Sequence, residues 1–238
     1  LGYILVGCID GLTLRKEIFL NKKGLRPARV LQVAQPVCAA LHYAHQMGLV
    51  HCDIKPANIM IHRNGTVFLA DFGIARVTEG RTQSLPSAGT PAYMAPEIIL
   101  GGSPTPAADI YALGVVIYEM LTGGERPFTG ESAQTNGNTT QRIVWEKNNL
   151  DAPPPSRFNH NITPELEAVT LHCLERDPDA RFASVMDLSH LLEQAVHGEG
   201  DNLEIQTLVD IQKIGEKSQA PLLNPAWLSS ASQPAPEK

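Results

Sequence analysis

Apolar residues in the first part of the chain recur at three- and four-residue steps. The longest such run extends from Ala28 to Met47, with Gly48 at the position where a helix would end. This spacing predicts a helix with one buried face. Pro36 lies inside the run, and a proline in a helix interior costs about 3 kcal/mol or bends the helix. The pattern alone does not decide whether the helix continues through Pro36.

A second run, from Asp109 to Leu121, is apolar on nearly every side and predicts a helix at the centre of a domain, ended by Gly123-Gly124. Two shorter helices are predicted further on. One has Thr163 as its N-cap and a proline at its first position, and the other extends from Ser184 to about Ala195. The patterns predict a mainly helical protein.

Two short apolar runs flank the sequence Arg-Asn-Gly-Thr at residues 63–66. An Asn-Gly pair between two such runs is typical of a β-hairpin with a two-residue turn. If the first and last of these four residues pair across the turn, Asn58 lies opposite Asp71, with Cβ atoms roughly 4.5 to 5.5 Å apart. This register would bring two oxygen-bearing side chains together at one end of the hairpin.

Three further stretches have patterns of their own. Tyr3 to Val6 predicts a short strand without an upstream partner, to which a second chain could add a strand. The segment from Gly73 to Pro91 is rich in Ser, Thr and Gly and predicts a long surface loop. The composition becomes polar from about His197, so we expect one domain over residues 1–197 and a flexible tail over 198–238.

Composition narrows the function classes. The net charge of -6 does not favour a nucleic-acid partner, and no apolar run reaches the roughly 18 to 20 residues that cross a bilayer. The four cysteines form no C-x-x-C pair, which argues against a disulfide framework or a zinc site and favours a cytoplasmic location. His42 and His45 are spaced as a helical ligand pair, but no third ligand is indicated.

The stretch HCDIKPAN at residues 51–58 places a carboxylate, a lysine and an asparagine within six residues. Asp53 can accept a proton from a hydroxyl group, and Lys55 can lie against a phosphate. Asn58 and Asp71 can supply oxygen ligands to a hard cation such as magnesium. These residue types suit phosphoryl transfer, in which the protein positions the reactants and neutralises charge.

Three motifs then resemble those of one family in the same order. HCDIKPAN resembles the catalytic loop of eukaryotic-like protein kinases, DFG at Asp71 to Gly73 their magnesium loop, and APE at Ala95 to Glu97 the end of their activation segment. Lys55 and the sequence GTPAYMAPE are similar to the Ser/Thr class, in particular to bacterial kinases of the Hanks type. The resemblance covers about residues 1–195. It implies an α+β fold, mainly α, equivalent to the large C-terminal lobe of a kinase with a short catalytic-loop β-hairpin.

The resemblance also implies a role for each matching residue. Asp53 would be the base that orients the substrate hydroxyl, and Lys55 would contact the transferring phosphate. Asn58 and Asp71 would bind magnesium, and Thr90 would tie the activation segment to the catalytic loop. The implied cofactors are ATP and Mg²⁺, and the implied partner is a protein that presents a Ser or Thr hydroxyl.

Other matching residues would have structural roles. Asp109 would accept backbone N–H groups of the catalytic loop, and Glu97 would form a buried ion pair with Arg181. Truncating Asp109 or Glu97 would strand buried groups at a cost of about 3 to 5 kcal/mol. The remaining structural candidates are His51, Phe72 and Gly73, and the candidate phosphorylation sites are Thr82, Ser84 and Ser87.

The chain departs from the family at two places. Cys52 stands where these kinases most often have an arginine that pairs with a phosphate on the activation segment, so we expect phosphorylation to be a weaker on-switch here. If Cys52→Arg brought no gain in phosphorylation dependence, this hypothesis would be wrong. We expect the thiol to be buried and inert rather than reactive.

The chain also begins within the hinge strand and has no G-x-G-x-x-G loop, so we expect most of the small lobe to be missing and ATP binding to be weak.

Three functions remain open on the sequence. The first is a Ser/Thr protein kinase of which this chain is a fragment. The second is a kinase lobe that serves as a catalytically inactive scaffold, which need not retain Asp53, Lys55, Asn58 and Asp71. The third is a small-molecule phosphotransferase, which shares the H-x-D-x-x-x-x-N loop but is disfavoured by DFG, APE and Asp109. The first agrees best with the motifs.

Overall fold

A computed structural model of the chain describes residues 9–72, 76–77 and 91–198. The predicted strand Tyr3 to Val6 and residues 199–238 of the predicted tail lie outside these residues. The helices are α1 (Leu14–Leu20), α2 (Pro27–Gln46), α3 (Pro96–Ile99), α4 (Pro106–Thr122), α5 (Thr139–Asn149), α6 (Pro164–His172) and α7 (Val185–His197). The strands are β1 (Gly11–Thr13), β2 (Leu49–Val50), β3 (Ile59–His62), β4 (Val67–Leu69) and β5 (Arg76–Val77).

Helix α2 confirms the first predicted run and continues through Pro36. Its buried side chains follow the predicted three- and four-residue spacing, from Val30 to Ala44. Pro36 itself lies on the exposed side of the helix, where water can bind the backbone carbonyl that loses its intrahelical partner. The buried face contacts α4 and α7, so packing supports the helix despite the proline.

Helix α4 passes through the centre of the domain, as predicted. Every residue from Ala108 to Thr122 is buried, and Gly123 ends the helix in the left-handed conformation (φ 76°) with its N–H bonded to Glu119 O. The helix begins three residues before the predicted start, because Thr105 and Pro106 supply an N-cap and a first-turn proline. The fold is therefore organised around one fully buried helix.

The two predicted C-terminal helices are confirmed, and so is the predicted N-cap at Thr163. The Thr163 hydroxyl accepts the N–H of Leu166, and the Ser184 hydroxyl accepts the N–H of Asp187. These bonds satisfy backbone donors that the first turn of a helix leaves without partners. Helices α6 and α7 contact each other, and α7 also lies along α2.

The hairpin is present, but its predicted register is wrong by one residue. Ile59 pairs with Leu69 and Ile61 with Val67, so Asn58 lies beside Ala70, whose N–H binds the Asn58 carbonyl at 2.8 Å. The turn contains three residues rather than two, and Gly65 ends it at φ 91°. A glycine in the left-handed region adds one bulged residue to the turn, and this shifts every pair. Asp71 therefore follows the last paired residues and is not opposite Asn58.

Three helices and three strands were not predicted, namely α1, α3 and α5 and β1, β2 and β5. Helix α1 is only seven residues long, and α5 begins at Thr139. The Asn138 side chain accepts the N–H of Gln141, whose own side chain accepts the Asn138 N–H, so a capping box starts α5. Strand β5 pairs with β2 inside the segment predicted as an irregular loop. Among the described helices, none has the length and apolarity needed to cross a bilayer.

Candidate active site

The catalytic loop connects β2 to β3 and brings three predicted site residues into direct contact. Lys55 Nζ donates to Asp53 Oδ2 at 2.7 Å, and Asn58 Nδ2 donates to the same oxygen at 2.9 Å. Asn58 Nδ2 also donates to the Asp53 backbone carbonyl at 2.9 Å. A cation and an amide thus hold the Asp53 carboxylate from one side, and the loop cannot change shape without breaking these bonds.

His51 supports the loop from below and is fully buried. Its Nδ1 accepts the N–H of Asp53 at 3.2 Å, and its Nε2 lies 3.1 Å from the carbonyl oxygen of Ala70. Because a carbonyl can only accept, Nε2 must carry the proton, and the imidazole is the neutral tautomer with Nδ1 free to accept. His51 therefore links the catalytic loop to the end of β4, next to Asp71.

Asp109 anchors the same loop from the first turn of α4. Its Oδ2 accepts the N–H of His51 and its Oδ1 the N–H of Cys52, both at 2.9 Å. His45 Nε2 lies 2.8 Å from Oδ2 and provides a third bond. Asp109 is completely buried. The contact that the family resemblance implied between Asp109 and the loop is present, and His45 is a partner that the sequence did not indicate.

His42 and His45 have different partners. His42 Nε2 lies 2.9 Å from the side-chain nitrogen of Gln46, one turn further along α2. Because His45 Nε2 is engaged by Asp109, the two imidazoles are not aimed at a shared ion. The H-x-x-H spacing on this helix therefore has a structural explanation.

Two residues of the site have a backbone conformation that is uncommon for side chains other than glycine. Cys52 has φ 63° and Asp71 has φ 64°. Such strain persists only where surrounding contacts impose it, and it concentrates at functional sites. At Cys52 the bond from its N–H to Asp109 is one such contact. The Cys52 thiol is half-buried and lies 3.6 Å from the carbonyl oxygen of Val50, so the expectation of a buried thiol is only partly met.

The DFG motif is described at its first two residues. The ring of Phe72 meets His51 edge-to-face at a centroid distance of 4.5 Å, although Phe72 is 37% exposed. Asp71 is exposed and is the next residue after Ala70, whose N–H donates to the Asn58 carbonyl. The other predicted residues of this region, Gly73, Thr82, Ser84, Ser87 and Thr90, lie outside the described residues.

The APE motif is fixed by the predicted ion pair. Arg181 donates from Nη1 and Nη2 to the two carboxylate oxygens of Glu97, at 2.7 and 2.8 Å. The guanidinium also donates to the backbone carbonyls of Glu175, Ala107 and Arg176. The Arg181 side chain has no exposed surface, whereas the Glu97 side chain is 19% exposed. A bidentate pair with every remaining donor satisfied is the geometry in which a buried ion pair is tolerated.

The residues just before APE have two anchors that sequence reasoning missed. Lys147 Nζ donates to the carbonyl oxygens of Ala92 and Met94, at 2.8 and 2.7 Å. The Tyr93 hydroxyl donates to both carboxylate oxygens of Glu119 at 3.0 Å. Burial raises the pKa of Glu119 to about 7, and the bond from Tyr93 and the nearby arginines only partly offset this. No motif contains Lys147 or Glu119. A charged residue within the apolar run of α4 is nevertheless unusual, and this could have indicated a specific partner for Glu119.

A small pocket of about 20 Å³, room for about one water molecule, lies between the catalytic loop and the residues before APE and is partly open to solvent. Asp53 and Tyr93 lie in its wall together with mostly apolar side chains. The full lining is Cys52, Asp53, Ile54, Tyr93, Met94, Ala95, Ile98, Ala108 and Ala112. The proposed base therefore faces a partly open space with an apolar wall.

Comparison with known proteins agrees with these features. The sequence profile of the protein kinase domain matches residues 3–195. The chain is 34% identical to serine/threonine-protein kinase PknB of Mycolicibacterium smegmatis, over 99% of this chain and 37% of that protein. It is 36% identical to PknB of Mycobacterium tuberculosis, over 84% of this chain and 31% of that protein. A probable serine/threonine-protein kinase of Streptomyces coelicolor is 36% identical over 83% of the chain and 28% of its own length.

The chain thus spans little more than a third of the length of these relatives at most. The matched region includes the catalytic loop, the Asp109 anchor and the ion pair between Glu97 and Arg181. The length of the match and the order of the motifs lead to one conclusion: the chain belongs to the protein kinase domain family.

Proposed function

We propose that this protein transfers the terminal phosphate of ATP to serine or threonine hydroxyl groups of other proteins. The observation that carries the proposal is the cluster around Asp53, whose carboxylate is bound by Lys55 and Asn58 at 2.7 and 2.9 Å and borders a partly open pocket. The similarity to bacterial serine/threonine-protein kinases supports the same class of substrate.

Asp53 is suited to orient an incoming hydroxyl group and accept its proton. One of its oxygens binds both Lys55 and Asn58, so the other is available to a hydroxyl that enters from the pocket. The Lys55 ammonium, held beside the carboxylate, supplies positive charge where a phosphate would arrive. The geometry accounts for a proton acceptor and a phosphate contact within one rigid loop.

The oxygen donors nearby fit a hard divalent cation. Both bonds of the Asn58 side chain to Asp53 use Nδ2, which cannot ligate a metal, so its amide oxygen is the atom suited to that role. Asp71 adds an exposed carboxylate just after the carbonyl that binds His51. Asn58 and Asp71 would hold Mg²⁺, and magnesium bound with ATP would neutralise charge on the phosphate oxygens. No cluster of three or more His, Cys, Asp or Glu competes for this role in the described ranges.

The experiment that tests the proposal is phosphate transfer from radiolabelled ATP with magnesium to a generic Ser/Thr protein substrate. It compares the wild-type protein with Asp53→Asn, which retains the size of the side chain but removes the proton acceptor. We expect Asp53→Asn to lower the rate by about 10² to 10⁴. Asp187→Asn serves as the matched control, because Asp187 is a carboxylate near the start of α7 that bonds Ser184.

The two possible failures have different meanings. Equal rates for wild type and Asp53→Asn would exclude Asp53 as the base. A wild-type protein that unfolds cooperatively, binds ATP and transfers no phosphate would contradict the kinase proposal and favour an inactive scaffold.

A further inference from the structure

Residues 92–94, here called the wall, border the pocket that Asp53 also lines. Tyr93 and Met94 line the pocket, and Ala92, next to them in the chain, is buried. Successive Cα atoms of a peptide are about 3.8 Å apart. A substrate residue next to a hydroxyl at Asp53 would therefore come close to Tyr93 and Met94, which share a pocket with Asp53. The position of residues 92–94 determines how well that neighbouring residue fits.

Lys147 on α5 holds this wall through its side-chain amine. Its side chain is 1% exposed, and its amine donates to the carbonyl oxygens of Ala92 and Met94, two alternate residues of the same short stretch. The amine also lies 4.9 Å from the centre of the Tyr111 ring on α4. One lysine thus fixes the backbone on both sides of Tyr93, while the Tyr93 side chain is held separately by Glu119.

A buried lysine needs a reason, because removing an ammonium from water is costly. No carboxylate within the described part of the chain forms an ion pair with Lys147, whose direct acceptors are two backbone carbonyls. Burial lowers its pKa well below the ordinary value, although Glu97 partly opposes this. An apolar side chain would fill the same space at less cost. What the amine adds is the position of two carbonyl groups.

We propose that Lys147 is a positioning residue for the protein substrate, acting through the backbone of residues 92–94. This inference rests on the proposed kinase function, since it assigns the substrate-facing wall of that same site. Lys147 does not touch the reacting atoms, so its loss should weaken substrate binding and alter the choice of the residue beside the target hydroxyl. The chemistry at Asp53 and the binding of ATP should change little.

The test uses Lys147→Met, which retains the length of the side chain but removes the donors. Glu146→Gln is the matched control. Glu146 is the buried neighbour of Lys147 on α5, and its two carboxylate oxygens accept the N–H groups of Gly130 and Ser132 at 2.6 Å. Both variants weaken a buried polar anchor of the same helix, so a general loss of stability would affect both.

The first measurement is hydrogen-deuterium exchange of the amides of residues 91–98, with those of α4 as an internal reference. This measurement needs no catalysis. We expect exchange about tenfold faster in Lys147→Met and unchanged in Glu146→Gln, because the wall opens locally when its donors are removed. Equal exchange in Lys147→Met and wild type would overturn the positioning role, whether or not the protein is a kinase.

The second measurement is steady-state phosphate transfer to two peptides that differ only in the residue that follows the target serine. We expect the KM for peptide to rise about tenfold in Lys147→Met, with KM for ATP and kcat within about twofold of wild type. The ratio of kcat/KM between the two peptides should move toward one. A fall in kcat alone, or the same shift in Glu146→Gln, would overturn the proposal.

The two measurements separate the two hypotheses. If the wild-type protein transfers no phosphate but exchange rises only in Lys147→Met, then the kinase function fails while Lys147 still positions the wall. If transfer occurs with unchanged exchange and unchanged peptide KM, then the kinase function stands and the role of Lys147 is wrong.

Discussion

The catalytic loop and residues 92–94 border one pocket, yet one is anchored by an acceptor side chain and the other by a donor side chain. Asp109 holds the catalytic loop by accepting two backbone N–H groups, whereas Lys147 holds residues 92–94 by donating to two backbone carbonyls. Both anchors are almost entirely buried and come from other helices. Each satisfies two main-chain groups that no helix or strand ladder would satisfy.

The comparison shows what burial requires of irregular backbone. A loop that is shaped for chemistry leaves donors or acceptors without partners in regular structure, and each unpaired buried group costs about 1 to 3 kcal/mol. One charged side chain can satisfy two of them at once. Whether the anchoring side chain is an acceptor or a donor follows from which main-chain groups need a partner. At His51 and Cys52 these are N–H groups, and at Ala92 and Met94 they are carbonyls.

The largest effect is expected at the carboxylate anchor. Asp109→Ala removes the acceptor of two backbone N–H groups and of His45, and one of these donors belongs to the fully buried His51. We expect the free energy of unfolding to fall by about 3 to 5 kcal/mol. Urea unfolding measures this, with Asp151→Ala as the control, since Asp151 is 85% exposed and its pair with Arg176 should contribute less than about 1 kcal/mol. If both variants lost a similar free energy of unfolding, the buried Asp109 would contribute no more to stability than an exposed aspartate.

The ion pair of the APE motif should respond asymmetrically. Glu97→Ala leaves the Arg181 guanidinium buried without its carboxylate, and we expect a loss of about 3 kcal/mol. Arg181→Met leaves Glu97, which water can reach at its 19% exposed side chain, so the loss should be smaller. Urea unfolding of the two variants gives the order directly. A larger loss in Arg181→Met would mean that the three carbonyl bonds of Arg181 outweigh the ion pair.

The smallest effect is a pH dependence at the second anchor of the residues before APE. The pKa of Glu119 is about 7 in the folded protein and 4.5 for an ordinary glutamate, so between these values the folded protein keeps a proton that the unfolded chain has released. The contribution of Glu119 to the free energy of unfolding is therefore fully present below pH 4.5 and is lost as pH rises toward 7. Across this window, the wild type should lose roughly 1 to 2 kcal/mol relative to Glu119→Gln.

Urea unfolding of both proteins at pH 5 and pH 7.5 checks this difference. The free energy of unfolding of wild type minus that of Glu119→Gln should fall as pH rises from 5 to 7.5. Parallel changes in the two proteins would show that Glu119 titrates normally and that burial does not perturb it.

The outcome for the hairpin shows where sequence patterns reach their limit. Its two strands were correctly located, but the predicted pairing of Asn58 with Asp71 was wrong because Gly65 adopts a left-handed conformation and lengthens the turn by one residue. A turn type depends on φ values that an Asn-Gly pair permits in more than one combination. Local sequence located the strands, and the backbone conformation of one residue set their register.

The long elements and the chemistry could be predicted from the sequence alone. Helices α2, α4, α6 and α7 follow from apolar spacing and cap residues, which act over a few neighbouring positions. Asp53, Lys55 and Asn58 lie within six residues and were recognised by type and spacing. These features are local, because a helix period and a loop motif depend on residues close in the chain.

Only the tertiary structure showed what holds those residues in place. His45, Lys147 and Glu119 act on residues 26 to 64 positions away, and their own neighbourhoods do not indicate which residues those are. Their roles follow from which backbone groups become buried when the helices assemble, and sequence spacing does not contain that information. The sequence determined the reactive groups of this protein, and the assembled fold decided which distant charges keep them in position.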